Sequence, residues 1–431
     1  MANSDQSVTT DQPRPKLGAF DLTCLGWNSV IGSGVFLTQG QIAAAVGPFG
    51  PLMFLVGGLC SLPIALCFGD LARRYPGTGG SSLFAHHVFG PRTGFVVGWV
   101  MWLSGLIGGA TVSLGFSEFV LGLAHQPKDM ARPLAMLLLT ALALINWSGT
   151  RGGAWCNNAL SMGKLLPITL AAVVGLFWIG PVAVLHPAVA APEKMAWLAG
   201  LLAVLYTYSG FEEIALPAGE VRDSQRHVPR ATLVVLGSSA LLYTVLQGFV
   251  SHQGAATADQ PLQQAFASVP WLAQLLMLAG VISFASVNAS IAFTTPRSLW
   301  TLAHHGWLPA RLRQLDAASG APRPCIAISL ALALLLLLTR SLDRLIALSV
   351  LASLLQHLST SLASWKLRGW ASSPGVPQLA VATCLLLLCT SSRGDLLGML
   401  VSLALGAVVS ALARPPRHQE VSSIDESQDP C

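Results

Sequence analysis

Two of the hydrophobic segments in this chain are interrupted in their middles by small, helix-weakening residues: Gly32-Ser33-Gly34 in the first and Ser209-Gly210 in the sixth. Each interruption leaves backbone amides and carbonyls without helical partners at membrane depth. Lipid offers such groups nothing, so irregular backbone is tolerated there only where protein or an aqueous cavity satisfies it. Paired interruptions therefore point to a ligand site near the middle of the bilayer and to a transporter.

The rest of the chain fits a bilayer. With 53% hydrophobic residues, 10% charged residues and a mean hydropathy of +0.62 over 431 residues, it is too apolar for a soluble protein of this length. The net charge of +5 does not indicate nucleic acid, because Lys and Arg fall in short clusters between apolar runs, not on one continuous stripe. Twelve candidate spanning segments are predicted, at 19–39, 48–69, 94–123, 133–147, 157–180, 196–218, 231–251, 270–302, 325–339, 342–365, 376–391 and 393–413, the fourth, ninth and eleventh of them short. Seventeen of the 24 Lys and Arg residues fall on the side of the N-terminus and six on the other, with Lys164 inside the fifth helix. By the positive-inside rule both termini are cytoplasmic, in a multi-pass protein of the cytoplasmic (inner) membrane. Residues 1–18 form a polar cytoplasmic tail without the features of a cleaved signal, and residues 414–431 read as a disordered cytoplasmic tail.

The eight cysteines include no CxxC and none in an expected outside loop, so they read as free thiols packed as small apolar groups, with neither disulfide nor metal. No cofactor is expected. The doublets His86-His87 and His304-His305 fall in cytoplasmic loops, where solvent or lipid headgroups are their expected surroundings. No nucleophile, metal or phosphate-binding motif indicates a membrane enzyme, and a channel would need filter loops or rings of pore-lining residues.

Several motifs in order resemble one family. Ile31-Gly32-Ser33-Gly34-Val35-Phe36 is followed by Asp70-Leu71-Ala72-Arg73-Arg74-Tyr75-Pro76-Gly77-Thr78-Gly79-Gly80 after the second helix. Residues 220–231, EVRDSQRHVPRA, follow the sixth helix, and Gly306-Trp307-Leu308-Pro309 with Pro322 and Pro324 follows the eighth. Together they resemble the amino acid, polyamine and organocation (APC) permeases. The resemblance implies an all-α integral membrane protein with the five-plus-five inverted-repeat (LeuT-like) fold. Its repeats would be 19–180 and 196–365, helices 1 and 6 would be broken equivalents, and the helices in 376–413 would lie outside the repeats.

The chemistry at the breaks follows from helix ends. Beyond Gly32-Ser33-Gly34 the second half of helix 1 starts with unpaired N–H groups and a positive dipole end, suited to a carboxylate. The alternative is that these glycines only allow close helix packing. Around Tyr206-Thr207-Tyr208-Ser209-Gly210-Phe211-Glu212, freed carbonyls suit an ammonium. The resemblance implies that carbonyls of Ile31, Tyr206, Thr207 and Ser209 hold a substrate amine and that Tyr206 closes over it as a gate; ordinary packing is the rival for that ring.

Two ionisable groups lie at membrane depth, where each is costly unless paired or hydrated. Lys164 matches a helix 5 lysine that some APC members carry where sodium-coupled relatives bind a sodium ion, while a lysine reaching back to the interface is the alternative. Glu212 matches a proton-sensitive glutamate of acid-resistance antiporters in that superfamily, a capping role being its rival. Glu213 is expected to face elsewhere. Ser283, Ser286, Asn288 and Ser290 of helix 8 and Gln356, His357, Ser359 and Thr360 of helix 10 are further cavity candidates or interhelical hydrogen-bond partners. The sequence thus reads as a secondary active transporter of an amino acid or amine, favouring neutral amino acids moved with protons; exchange is the second possibility, and an enzyme or a channel a remote one.

Overall fold

The computed structural model describes residues 16–32, 34–185, 195–254, 261–338, 342–369 and 375–389, with scattered positions between 396 and 408. Among them the chain is helical. Its order is α1 (Ala19–Val30), α2 (Gly34–Val46), α3 (Gly50–Arg74), α4 (Ser81–Phe89), α5 (Pro91–Leu123), α6 (Ala131–Trp147) and α7 (Thr150–Leu185), then α8 (Trp197–Thr207), α9 (Ser224–His252), α10 (Pro261–Ala265), α11 (Pro270–His304), α12 (Arg323–Leu338), α13 (Leu342–Arg368) and α14 (Val376–Cys389). Short 3-10 segments at Phe211–Ala215 and Ala218–Glu220 join α8 to α9. The twelfth expected span is described only at scattered positions, and both tails lie outside the described residues apart from residues 16–18.

Five stretches, Thr38–Arg74, Pro91–Leu123, Thr150–Leu185, Ser224–His252 and Pro270–His304, are long and apolar enough to cross a membrane; α6, α12 and α14 are shorter apolar helices. Pro51, Pro91 and Pro270 stand in the first turns of α3, α5 and α11, where a missing N–H costs nothing. Helix α7 starts seven residues before the expected 157, because Thr150, Arg151, Gly152 and Gly153 lower the local hydropathy without ending the helix, and two polar side chains that follow face α1. Asn157 Oδ1 accepts from the Asn28 amide at 3.0 Å, and the Asn158 amide donates to Asp21 Oδ1 at 2.6 Å. Gly180, at φ +78°, kinks α7 just before Pro181. On the outer side of α7, Phe177 is 85% and Trp155 73% exposed, as side chains in contact with lipid would be.

Helix packing centres on α1. It contacts α7, α9 and α11, while α3 runs along α9, α5 along α11 and α6 along α12. One core gathers Phe54, Phe68, Tyr208, Tyr243 and Phe249 between α1, α3 and α9, and a second gathers Trp102, Leu139, Trp300 and Leu337 between α5, α6, α11 and α12. Seven cysteines are described, all free; Cys24, Cys67, Cys325 and Cys384 are buried.

The histidine doublets are not simply solvated. Between α3 and α5, where a loop was expected, the nine-residue α4 carries His86 against His305: their rings stack at 4.4 Å, and His87 stacks on Tyr75 at 4.6 Å. The segment is too short for a spanning signature, so hydropathy passes over it. Burial, followed by the neighbouring His86, His304 and His87, pushes His305 down to about 3, and burial lowers His86 and His87 as well. A histidine held neutral in the fold costs stability as pH falls through its unfolded value near 6.5 towards its folded value. Thermal stability in detergent should therefore drop between pH 7.5 and pH 5, and His305→Gln should flatten that slope. An unchanged slope in the variant would remove His305 as the cause.

Candidate functional site

The first helix ends at Val30 and restarts at Gly34, and α8 ends at Thr207 before a turn at 208–210. The two interruptions touch. Gly210 has φ +116°, and a Cβ placed on it would sit 2.6 Å from Ser29 O, so no residue with a side chain fits there without displacing α1. Gly34 faces Thr207 in the same way, with Thr207 Cγ2 3.2 Å from where its Cβ would be.

Around this crossing lies a cavity of about 200 Å³. Ser29, Gly32 and Gly34 line it from the first break, Thr207, Ser209, Gly210, Glu212 and Glu213 from the second, and Ser104, Gly108 and Thr111 from α5. Of the residues expected to take a carboxylate, Gly32 and Gly34 are on its wall, where the open first turn of α2 presents amides without intrahelical acceptors. Ser33 lies outside the described residues. Thr207 and Ser209 are on the wall too, close to the carbonyls left free where α8 stops. Tyr206 belongs to the last turn of α8, but its side chain, and with it the expected gate, lies outside what is described.

Ile31 is placed differently. Its carbonyl accepts from Lys164 Nζ at 2.5 Å and from Ser283 Oγ at 3.2 Å, which engages both lone pairs, and the residue is 1% exposed. Val30 O next to it accepts from Tyr243 Oη at 2.8 Å. Side chains from α7, α9 and α11 thus cap the carbonyls of Val30 and Ile31.

Lys164 does not reach back to an interface. It is fully buried, and its ammonium donates to Ile31 O, to Ser286 Oγ at 2.7 Å and to Asn28 O at 3.3 Å, filling all three donor positions. The lysine pins the broken end of α1 between α7 and α11. Ser283 and Ser286 of the helix 8 candidates join this network, and Asn288 instead accepts from Ser113 Oγ at 2.8 Å.

Glu212 is buried beside the second break. Its Oε2 accepts from Gly210 N at 2.8 Å and lies 3.1 Å from His357 Nε2 on α13, and the His357 ring stacks on Phe211. Sequence reasoning had His357 as a cavity candidate but not as the partner of this glutamate, because nothing in the spacing of α8 and α13 states their pairing. Glu213 corrects an expectation: it lines the same cavity as Glu212. Both glutamates belong to the short 3-10 segment Phe211–Ala215 that follows the second break directly.

At the end of the molecule that carries residue 16, a second buried constellation went unrecognised. Arg297 Nε donates to Glu220 Oε1 at 2.5 Å, Arg297 Nη2 donates to Glu220 Oε2 at 3.0 Å, and Thr150 Oγ1 donates to Glu220 Oε2 at 2.9 Å. The guanidinium also lies over the Phe293 ring. Backbone amides of Lys16 and Leu17 donate to Glu220 O, and Lys16 Nζ donates to Ser319 O at 2.7 Å. Arg297 is 3% exposed.

With this geometry in view, comparison with known proteins is decisive. A family described as amino acid permease matches residues 17–393, which include both breaks and every residue of the cavity wall. The chain belongs to the amino acid permease family. It is therefore a membrane transporter and not an enzyme. An uncharacterised transporter of Mycobacterium bovis is 29% identical over 382 residues, covering 81% of this chain and 79% of its own length. Cationic amino acid transporter 4 of Mus musculus is 28% identical over 412 residues, covering 87% and 63%, and the vacuolar cationic amino acid transporter 4 of Arabidopsis thaliana is 25% identical over 336 residues, covering 71% and 55%.

Proposed function

We propose that this permease moves amino acids by alternating access around the cavity at the crossed breaks, as a secondary active transporter of the cytoplasmic (inner) membrane with both termini in the cytoplasm. The observation that carries the reading is the contact of Gly210 with Ser29: the two interrupted helices meet where a small molecule has polar backbone on both sides.

The five-plus-five inverted repeat, 19–180 and 196–365 with 376–413 outside it, is supported by the packing. Counting spans, α3, α5 and α6 are helices 2, 3 and 4, and α9, α11 and α12 are helices 7, 8 and 9; each packs on its counterpart. A pseudo-two-fold axis through the centre produces that pairing. On this reading the amides of Gly32, Ser33 and Gly34 take the substrate carboxylate, the carbonyls of Tyr206, Thr207 and Ser209 take its amine, and Tyr206 is the gate. Lys164 and Glu212 couple transport to protons: deprotonation of Lys164 would remove one of its three donors and the charge behind the other two, loosening α1 from α7 and α11. Neutral amino acids and proton symport are what the sequence supports for substrate and coupling, with exchange as the alternative mode. The presence of Glu213 on the wall, and the cationic amino acid transporters among the relatives, favour a second reading in which the substrate carries an extra positive charge.

Purified protein in proteoliposomes should exchange a radiolabelled amino acid by counterflow, and methyl esters of the same amino acids should fail to compete, because an ester removes the charge that the α2 amides meet. Esters that compete as well as free acids would refute carboxylate capture at the first break. Imposed proton and sodium gradients at equal voltage would separate the coupling ions: uptake driven by protons without sodium is expected.

A further inference from the structure

Glu212 and Glu213 are neighbours in sequence and on the cavity wall, but the protein answers only one of them. Glu212 has the Gly210 amide and His357. For Glu213, no Lys, Arg or His among the described residues comes within 4.0 Å; the hydroxyl of Thr294 is its polar contact. The other side chains on the wall that could approach it, Ser104, Thr111 and Ser353, are neutral. Lys164 cannot serve, since its three donors are committed to Asn28 O, Ile31 O and Ser286 Oγ.

A carboxylate facing the cavity beside a second carboxylate is costly in its charged form, and a positive group placed against it offsets that cost. A zwitterionic amino acid does not provide this, because its ammonium is matched by its own carboxylate and both are engaged at the breaks. A substrate with one further cationic group does. Gly108 on α5 adds no side chain to the cavity wall. We propose that Glu213 is the specificity-determining residue of this permease and that it receives the terminal ammonium or guanidinium of a basic amino acid's side chain. The proposal rests on the amino acid transport reading above and adds to it the class of side chain and the residue that selects it.

The test is counterflow with the full chain in proteoliposomes, using radiolabelled lysine, arginine, leucine and alanine. The wild type should exchange lysine and arginine in preference to leucine, and Nε-acetyl-lysine, which keeps the length and loses the charge, should compete poorly with lysine. Glu213→Gln, which preserves shape, should lower the lysine-to-leucine ratio of kcat/KM by at least about tenfold, one unmet charge-assisted bond being roughly 1.5 kcal/mol or more. Glu213→Asp should retain part of the preference. Should the wild type exchange neutral amino acids alone, the transport reading stands and this proposal falls; should it exchange no amino acid, both fall. A Glu213→Gln variant that keeps its preference but no longer responds to a proton gradient would make Glu213 a proton carrier, and this too would overturn the proposal. Competition by Nε-acetyl-lysine is measured on the wild type, so it decides the matter even if the variants do not fold: acetyl-lysine competing as well as lysine sinks the idea.

Discussion

Lys164→Met is expected to leave a protein that inserts and can be purified but takes up substrate at less than about one tenth of the wild-type rate. Methionine keeps much of the apolar stem and removes the ammonium, so Ile31 O loses its shorter hydrogen bond and Asn28 O and Ser286 Oγ lose a donor. A hydrogen bond from a charged donor is worth roughly 1.5–3 kcal/mol, and a buried acceptor left unmet adds its desolvation, so even one of the three accounts for a tenfold effect. The loss should fall on the conformational cycle, because these bonds tie the end of α1 to α7 and α11 and do not line the cavity. Lys164→Arg should not rescue it: a planar, larger guanidinium cannot aim three donors at acceptors that converge on one ammonium. Uptake against external pH is the measurement, with ligand binding in detergent beside it. Binding retained with uptake lost and pH-insensitive fits the role; a normal uptake rate with a normal pH profile excludes it.

The breaks were legible in the sequence because they depend on local facts: glycine and serine weaken a helix wherever they stand, and apolar runs of spanning length announce themselves. Eleven of the expected segments coincide with helices or broken pairs, from α1 with α2 through α14, with ends up to seven residues away, and five stretches are long and apolar enough to cross a membrane. What the sequence could not give was which side of each break faces the cavity. Ile31 and Gly32 are adjacent, yet one carbonyl is consumed by α7 and α11 while the other residue lines the cavity, and only the packing of those helices decides this. Glu213 was misplaced for a related reason. Glu212 and Glu213 both border the cavity in the short segment after Gly210, and no pattern of apolar residues marks where such a segment runs. Arg297 was hidden by its position near the end of an apolar helix, where a basic residue reads as an interfacial anchor; its partner Glu220 is 77 residues away.

That hidden pair should be the largest single contributor to stability at the end of the molecule where residue 16 sits. Arg297 and Glu220 are both 4% exposed in their side chains, so removing one partner strands a charge that solvent barely reaches. Breaking a buried pair in this way costs roughly 3–5 kcal/mol, whereas exchanging both for apolar residues of similar size is often close to neutral. Arg297→Met and Glu220→Leu should each lower the thermal midpoint in detergent strongly. The double variant should be more stable than either single one, with a coupling energy of several kcal/mol across the cycle. Simple additivity would mean that the two side chains act independently and that their short contact contributes little. The double variant should nonetheless transport differently from the wild type. Glu220 holds residues 16 and 17 through its backbone oxygen and α7 through Thr150, so the pair joins the N-terminal segment, the start of α7 and the end of α11 across one face. A transporter that alternates must open that face once in every cycle, and a charge pair whose bonds can be exchanged for water on opening is better suited to this than an apolar plug, which has to expose its surface. Restored stability with slowed exchange is therefore the expected outcome for the double variant, read as midpoint and counterflow rate on the same preparation; full recovery of both would reduce the pair to a structural brace.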